Sequence, residues 1–133
     1  MYQVSSNLAK NRLYLKLDGF MSETEAHEAA NTLIAETRKL KPGYDIISDI
    51  AGFKPMSPEG AKEIERGQKF VAQNGVRHIM RVVGSNVIGR MQFQRTAKAV
   101  GSNTLTEEVA SLEEAEHRLD ELMAVGLFSH PKT

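Results

Sequence analysis

The stretch GSNVIGRM sets Gly84 and Gly89 at the spacing of a phosphate-binding loop, GxxxxGKS or GxxxxGKT. In such a loop backbone N–H groups cradle phosphate, the lysine supplies a point charge and the hydroxyl holds magnesium. Here Arg90 takes the lysine position and Met91 the hydroxyl position. Without those two groups the stretch reads as a strand-to-helix turn capped by Ser85, with free N–H groups that attract an anion only weakly. The four histidines, His27, His78, His117 and His130, share no metal-ligand spacing such as i, i+4. His78 lies in a strand with Arg77 and Arg81 near it and reads as a packed or surface residue, so no metal is expected. No GxSxG elbow offers a strained turn to a serine nucleophile. Asp45, Asp49 and Glu59 gather around one strand and its exit loop, and paired acids do acid–base work when buried together. Solvated loop charges and helix caps explain the three more simply. No catalytic residue and no cofactor are assigned, and the chain reads as a non-enzyme.

The third predicted helix, SNVIGRMQFQRTAKAVG, is the least regular element. Ile88, Met91, Phe93, Ala97 and Val100 do not fall on one stripe, and Arg90, Arg95 and Lys98 are interspersed with them. Apolar residues outside a core face, beside positive charge, suit a docking surface. Met91 and Phe93 are its candidate contacts, with the alternative that one of them packs under the C-terminal tail. A small ligand held between this helix and the sheet would meet Arg90 or Arg95 with a carboxylate or phosphate.

The bulk numbers narrow the setting. A chain of 133 residues, 41% hydrophobic and 26% charged, fits one domain with one core. Lys plus Arg and Asp plus Glu both number 17, so no global field draws nucleic acid or an anionic membrane. The absence of cysteine removes disulfides and thiolate chemistry. The opening MYQVSSNLAKNR has no apolar run of signal-peptide length, and nothing reaches the ~18 apolar residues of a membrane span. A soluble, cytoplasmic protein is expected.

The elements that position these residues follow from periodicity. RLYLKLDGF alternates, with Leu13, Leu15 and Leu17 on one side and Arg12, Tyr14, Lys16 and Asp18 on the other, as in a half-buried strand. MYQV pairs beside it as an edge strand. Ser22 and Glu25 form a capping box for a helix with an apolar stripe from Ala26 to Thr37, stopped by Pro42 and Gly43. YDIISDI reads as a central strand buried on both faces. A second helix, SPEGAKEIERGQKFVAQNG, ends at Asn74–Gly75, and VRHIMRVV is the next strand. NTLTEEVA is a weaker strand, and Ser111 with Glu114 caps a fourth helix reaching Met123. One helix between successive strands implies right-handed parallel crossovers. The expected fold is α/β, a mixed and largely parallel sheet of four to five strands with about four helices. Residues 124–133 form a tail after a glycine-containing break, with Val125, Leu127 and Phe128 folding back or crossing to a second subunit as a homodimer.

This element order, with YDIISDIAGFKPMSPEGAKEI and VASLEEAEHRLDEL, resembles the STAS family, most closely its SpoIIAA-like branch. The resemblance covers roughly residues 10 to 122 and implies a single such domain over the whole chain. It implies a non-enzymatic regulatory module that docks a protein near the start of the second helix and on the third. The residues it points to are Ser57, Glu59 and Gly60, joined by Met91 and Phe93. In the family a phosphorylated serine or threonine precedes a glycine that opens the second helix. Gly60 takes the glycine position here, Glu59 the phosphorylated position, Pro58 the one before it, and Ser57 the aspartate position. A carboxylate replaces the receiving hydroxyl, so the phosphorylation switch is not carried over. The residues alone give the same stretch a local meaning: Ser57 is an N-cap, Pro58 suits the first helical position, and Glu59 faces the positive end of the helix dipole. Gly60 and Gly67 stand inside that helix, where glycine costs about 1 kcal/mol relative to alanine. A close backbone approach, to the sheet or to a partner, would account for them. The second functional reading is a carrier or sensor of a small apolar or anionic ligand, lipid-like or nucleotide-like.

Overall fold

The structure, a computed structural model, describes residues 1–99 and 106–129, with side chains as far as Val125. The elements run β1 (Tyr2–Asn7), β2 (Arg12–Gly19), α1 (Glu23–Thr37), β3 (Tyr44–Phe53), α2 (Pro58–Gln73), β4 (Val76–Val82), α3 (Val87–Ala99), β5 (Thr106–Val109) and α4 (Leu112–Ser129). The five strands lie in sequence order across one sheet. The β1–β2 hairpin is antiparallel, and every later pairing is parallel. This is the mixed, largely parallel α/β fold expected from the alternation of strands and helices. No helix among the described residues is long and apolar enough to cross a membrane.

The predicted caps act where the sequence places them. Ser22 accepts from the N–H of Glu25 at 3.1 Å, Ser57 from Gly60 at 3.2 Å, and Ser111 from Glu114 at 3.1 Å. Each satisfies an N–H that the first turn of its helix leaves free. The cap of α3 is Asn86 rather than Ser85. Its amide oxygen accepts from Gly89 N–H at 3.1 Å, while its amide nitrogen donates to the carbonyls of Ile50 and Phe53 at 2.7 and 2.6 Å. Only an amide both accepts and donates twice, so the longer side chain takes the cap that a hydroxyl was expected to fill. A side chain on Gly89 would collide with Asn86 and with the Phe53 carbonyl, which gives that glycine a packing role.

Helices cover the sheet unequally. Leu13, Leu17, Ile46, Ile50 and Ile79 face α1, α2 and α3, where they pack with Ala29, Leu33, Ile64, Val71 and Phe93. The opposite face presents Ile47, Met80, Val82 and Val109 to Ala115 and Leu119 of α4. β2 is therefore not half-buried. Arg12, expected to face solvent, is fully buried beneath α4. Helix α4 also runs past Met123 and through Gly126 to Ser129, so the expected break at the start of the tail does not occur. Val100, residues 101–105, the last four residues of the tail and the side chains of Leu127 and Phe128 lie outside the described residues.

Candidate functional site

The register across the sheet aligns Leu15 of β2, Ser48 of β3, Arg81 of β4 and Glu108 of β5. Because side chains alternate along a strand, these four share one face, the face beneath α1, α2 and α3. A serine and an arginine thus stand at the centre of an otherwise apolar surface. Ser48 is 5% exposed and Arg81 is 4% exposed. Among the described residues, neither Ser48 Oγ nor Arg81 Nε has a hydrogen-bond partner, and neither does Gln68 Oε1, which lines the same pocket from α2. The Arg81 guanidinium carbon lies 5.4 Å from the centre of the Phe93 ring. That ring in turn meets Phe53 edge-on, with centroids 5.2 Å apart.

These groups line a cavity of about 70 Å³ between the sheet and the helices above it. Most of its wall is aliphatic: Leu15, Leu17, Ile46 and Ile79 below, Leu33 and Ile64 above. Small residues bring α1 and α2 close together over it. A Cβ on Gly67 would sit 2.9 Å from Leu33 Cδ2, so glycine at this helical position serves the contact with α1. Across the outer surface of the same two helices, Arg66 Nη2 donates to Asn31 Oδ1 at 2.8 Å and Arg66 Nε to Glu63 Oε1 at 2.9 Å. His27 Nδ1 lies 3.2 Å from the same Glu63 oxygen. Burial raises the Glu63 carboxyl, but the hydrogen bonds from Arg66 and His27 prevail and hold it below its ordinary range.

Electrostatics single out Arg81. Burial lowers its pKa, and the charge of Glu108 works in the opposite direction. Glu108 is itself engaged by α3: Arg90 Nε lies 3.1 Å from its Oε1, and Gln94 donates to its Oε2 at 3.0 Å. Among the described residues, the Arg81 guanidinium makes no hydrogen bond or ion pair. A guanidinium stays protonated even when buried, so deprotonation cannot relieve this burial. The arrangement can accept an anion or strong acceptor at Arg81 and Ser48, with an aliphatic group beside it.

The residues singled out by sequence divide between this pocket and the surface. Arg90 and Arg95 do not line the pocket: Arg90 is committed to Glu108, and Arg95 is exposed on α3. The arginine that lines the pocket is Arg81, on β4. Phe93 is a core residue, 4% exposed, and cannot contribute to a docking surface. Gly60 is also buried; a Cβ there would meet Met56 Cβ and Sδ at 3.0 Å, so its backbone approach is to the chain's own loop. Ser57, Glu59 and Met91 are exposed. Gln92 joins their elements by accepting from Met56 N–H at 3.0 Å and donating to Met56 C=O at 3.2 Å. The acids are separated. Asp45 pairs with Arg77 at 2.7 Å, and Asp49 accepts from Ala51 N–H at 3.1 Å, while Glu59 lies in the first turn of α2. Among the described residues, no three metal-ligating side chains gather to hold an ion.

Sequence reasoning gave Arg81 and Ser48 no role, although a signal was present. Each is a polar residue inside an apolar run, and the alternation along β3 and β4 places both on the face that three helices cover. No family model matches the chain, and no curated protein matches it.

Proposed function

We propose that this protein binds a small, mostly apolar ligand between α1, α2 and the sheet, as a carrier or sensor. The observation that carries the reading is the buried, unpartnered Arg81 and Ser48 in an aliphatic pocket. Leaving a buried neutral polar group unpaired costs about 1–3 kcal/mol, and a buried charge costs more. Natural sequences depart from self-consistent packing mainly at functional sites. The aliphatic wall favours the lipid-like side of the expectation over the nucleotide-like side. Native mass spectrometry of the purified protein, with thermal shift against fatty acids, short carboxylates and nucleotides, tests the proposal. A ligand that co-purifies or raises the unfolding midpoint supports it; an empty spectrum and a flat response across the panel defeat it.

A second reading is a STAS-like protein-interaction module without a serine switch. Its support is the shallow groove lined by Phe20, Pro55, Asn86 and Ile88, where Phe20 is 75% and Ile88 68% exposed. Met91, three residues after Ile88, lies on the same side of α3. Glu59 in the first turn of α2 supplies the negative charge that a phosphorylated residue would bring. Retention of full partner capture by a protein carrying Glu59→Arg and Met91→Asp would rule this surface out.

A further inference from the structure

We infer that the pocket selects a short-chain monocarboxylate, with Arg81 and Ser48 holding its head group. This rests on the ligand-binding reading and adds the chemistry of the ligand. Three observations on the site converge.

The first is charge. Among the described residues, Arg81 is the one arginine or lysine that lines the pocket. The nearby Glu108 already serves Arg90 and Gln94. One buried positive charge calls for one negative charge. A dianion would bring a second charge that no lining group among the described residues neutralises.

The second is shape. The planar guanidinium fork matches two carboxylate oxygens. Its Nε edge is an unpartnered edge, and Ser48 on the neighbouring strand adds a hydroxyl that can donate to the same anion. The Phe93 ring, 5.4 Å from the guanidinium carbon, makes a cation–π contact with Arg81.

The third is size. The cavity of about 70 Å³ is smaller than the ~150 Å³ apolar cavity that accepts benzene. The chain must therefore be short unless α1 and α2 separate. Separation would break the Arg66–Asn31 and His27–Glu63 contacts across them.

The test uses the full chain and three probes of equal tail length: propanoate, 1-propanol and propyl phosphate. Binding is followed by NMR titration of the methyl groups of Leu33, Ile64 and Val71 and of the Arg81 Nε–H. Propanoate is expected to bind at least tenfold more tightly than 1-propanol and to move the Arg81 resonance. Arg81→Met is expected to abolish that preference while leaving 1-propanol binding in place. If Arg81→Met does not fold, Arg81→Gln serves the same comparison. Equal binding of propanoate and 1-propanol by the native protein would overturn the head-group inference and leave the apolar pocket standing. Tighter binding of propyl phosphate would replace the carboxylate class. No methyl response to any of the three would overturn the ligand-binding reading itself.

Discussion

Arg12 and Arg81 lie on opposite faces of one sheet, both out of solvent and both with an unpartnered Nε among the described residues, and they differ in whether an ion pair reaches them. Arg12, under α4, is ion-paired to Glu116 and lies 3.1 Å from Asp120. Tyr14 adds its hydroxyl to Glu116 at 2.9 and 3.0 Å. Burial lowers the Arg12 pKa, but these hydrogen bonds prevail and raise it. Arg81, under α1, α2 and α3, has no such partners and is held below its ordinary value. The difference teaches what each face is for. Under α4 the charge ties a helix to the sheet, and its partners reach solvent at their outer edges. Under the other helices the charge is left open within an apolar cavity.

Five measurements break or sharpen this contrast. Arg12→Met should lower stability by about 3 kcal/mol, because it empties a paired, fully buried site. The partly exposed Glu116 and Asp120 regain water, which keeps the loss at the low end of the range. Urea unfolding checks it, and a loss below about 1 kcal/mol would remove the structural role. Arg81→Met should move the other way, raising stability by about 1 kcal/mol as an unpartnered buried charge gives way to a flexible apolar chain. A large loss in that variant would show that Arg81 has a partner in the fold.

The hydroxyls extend the same test to a smaller scale. Tyr14→Phe should cost about 1 kcal/mol, since it removes a hydrogen bond to a carboxylate. Ser48→Ala should be close to neutral, because Ser48 Oγ makes no bond to lose. Similar losses in the two variants would erase the distinction between the faces. A small effect is also expected from pH. Burial raises the Asp120 carboxyl, but the hydrogen bond and charge of Arg12, with the charge of Lys10, hold it below its ordinary range. A depressed folded value gives a contribution that is full above the unfolded aspartate value of about 3.9 and lost as pH falls through the folded value. Asp120 is half exposed, so screening keeps this contribution small. The stability gap between the native protein and Asp120→Asn should therefore be widest near neutral pH and close below pH about 4.

Much of the fold was legible in the sequence because local signals carry it. Alternation marked β2, the apolar run marked β3, and Ser22, Ser57 and Ser111 marked helix starts with mechanisms that need no tertiary context. The site was less legible. Periodicity tells which side of a strand a residue takes, but not whether another element covers that side. Arg12 alternates with Leu13 and so was expected in water, yet α4 arrives from the far end of the chain to cover it. Phe93 belongs to a stripe that apolar residues alone do not reveal: the buried positions of α3 are Gly89, Phe93, Thr96 and Ala97, at i, i+4, i+7 and i+8, and two of the four are glycine and threonine. Arg81 breaks an apolar run, and only the pairing with Ser48 shows that the break is a feature of the pocket.

The cavity under α1 and α2 also bears on how the protein answers to pressure. Internal voids vanish when a chain unfolds, so compression favours the unfolded state. A void of about 70 Å³ corresponds to about 40 mL/mol, a large share of the roughly 20–100 mL/mol by which unfolding usually contracts a protein. The face bearing Arg81 is thus a side of the molecule with volume to lose under compression. A ligand filling that space would stiffen the protein mechanically as well as stabilise it.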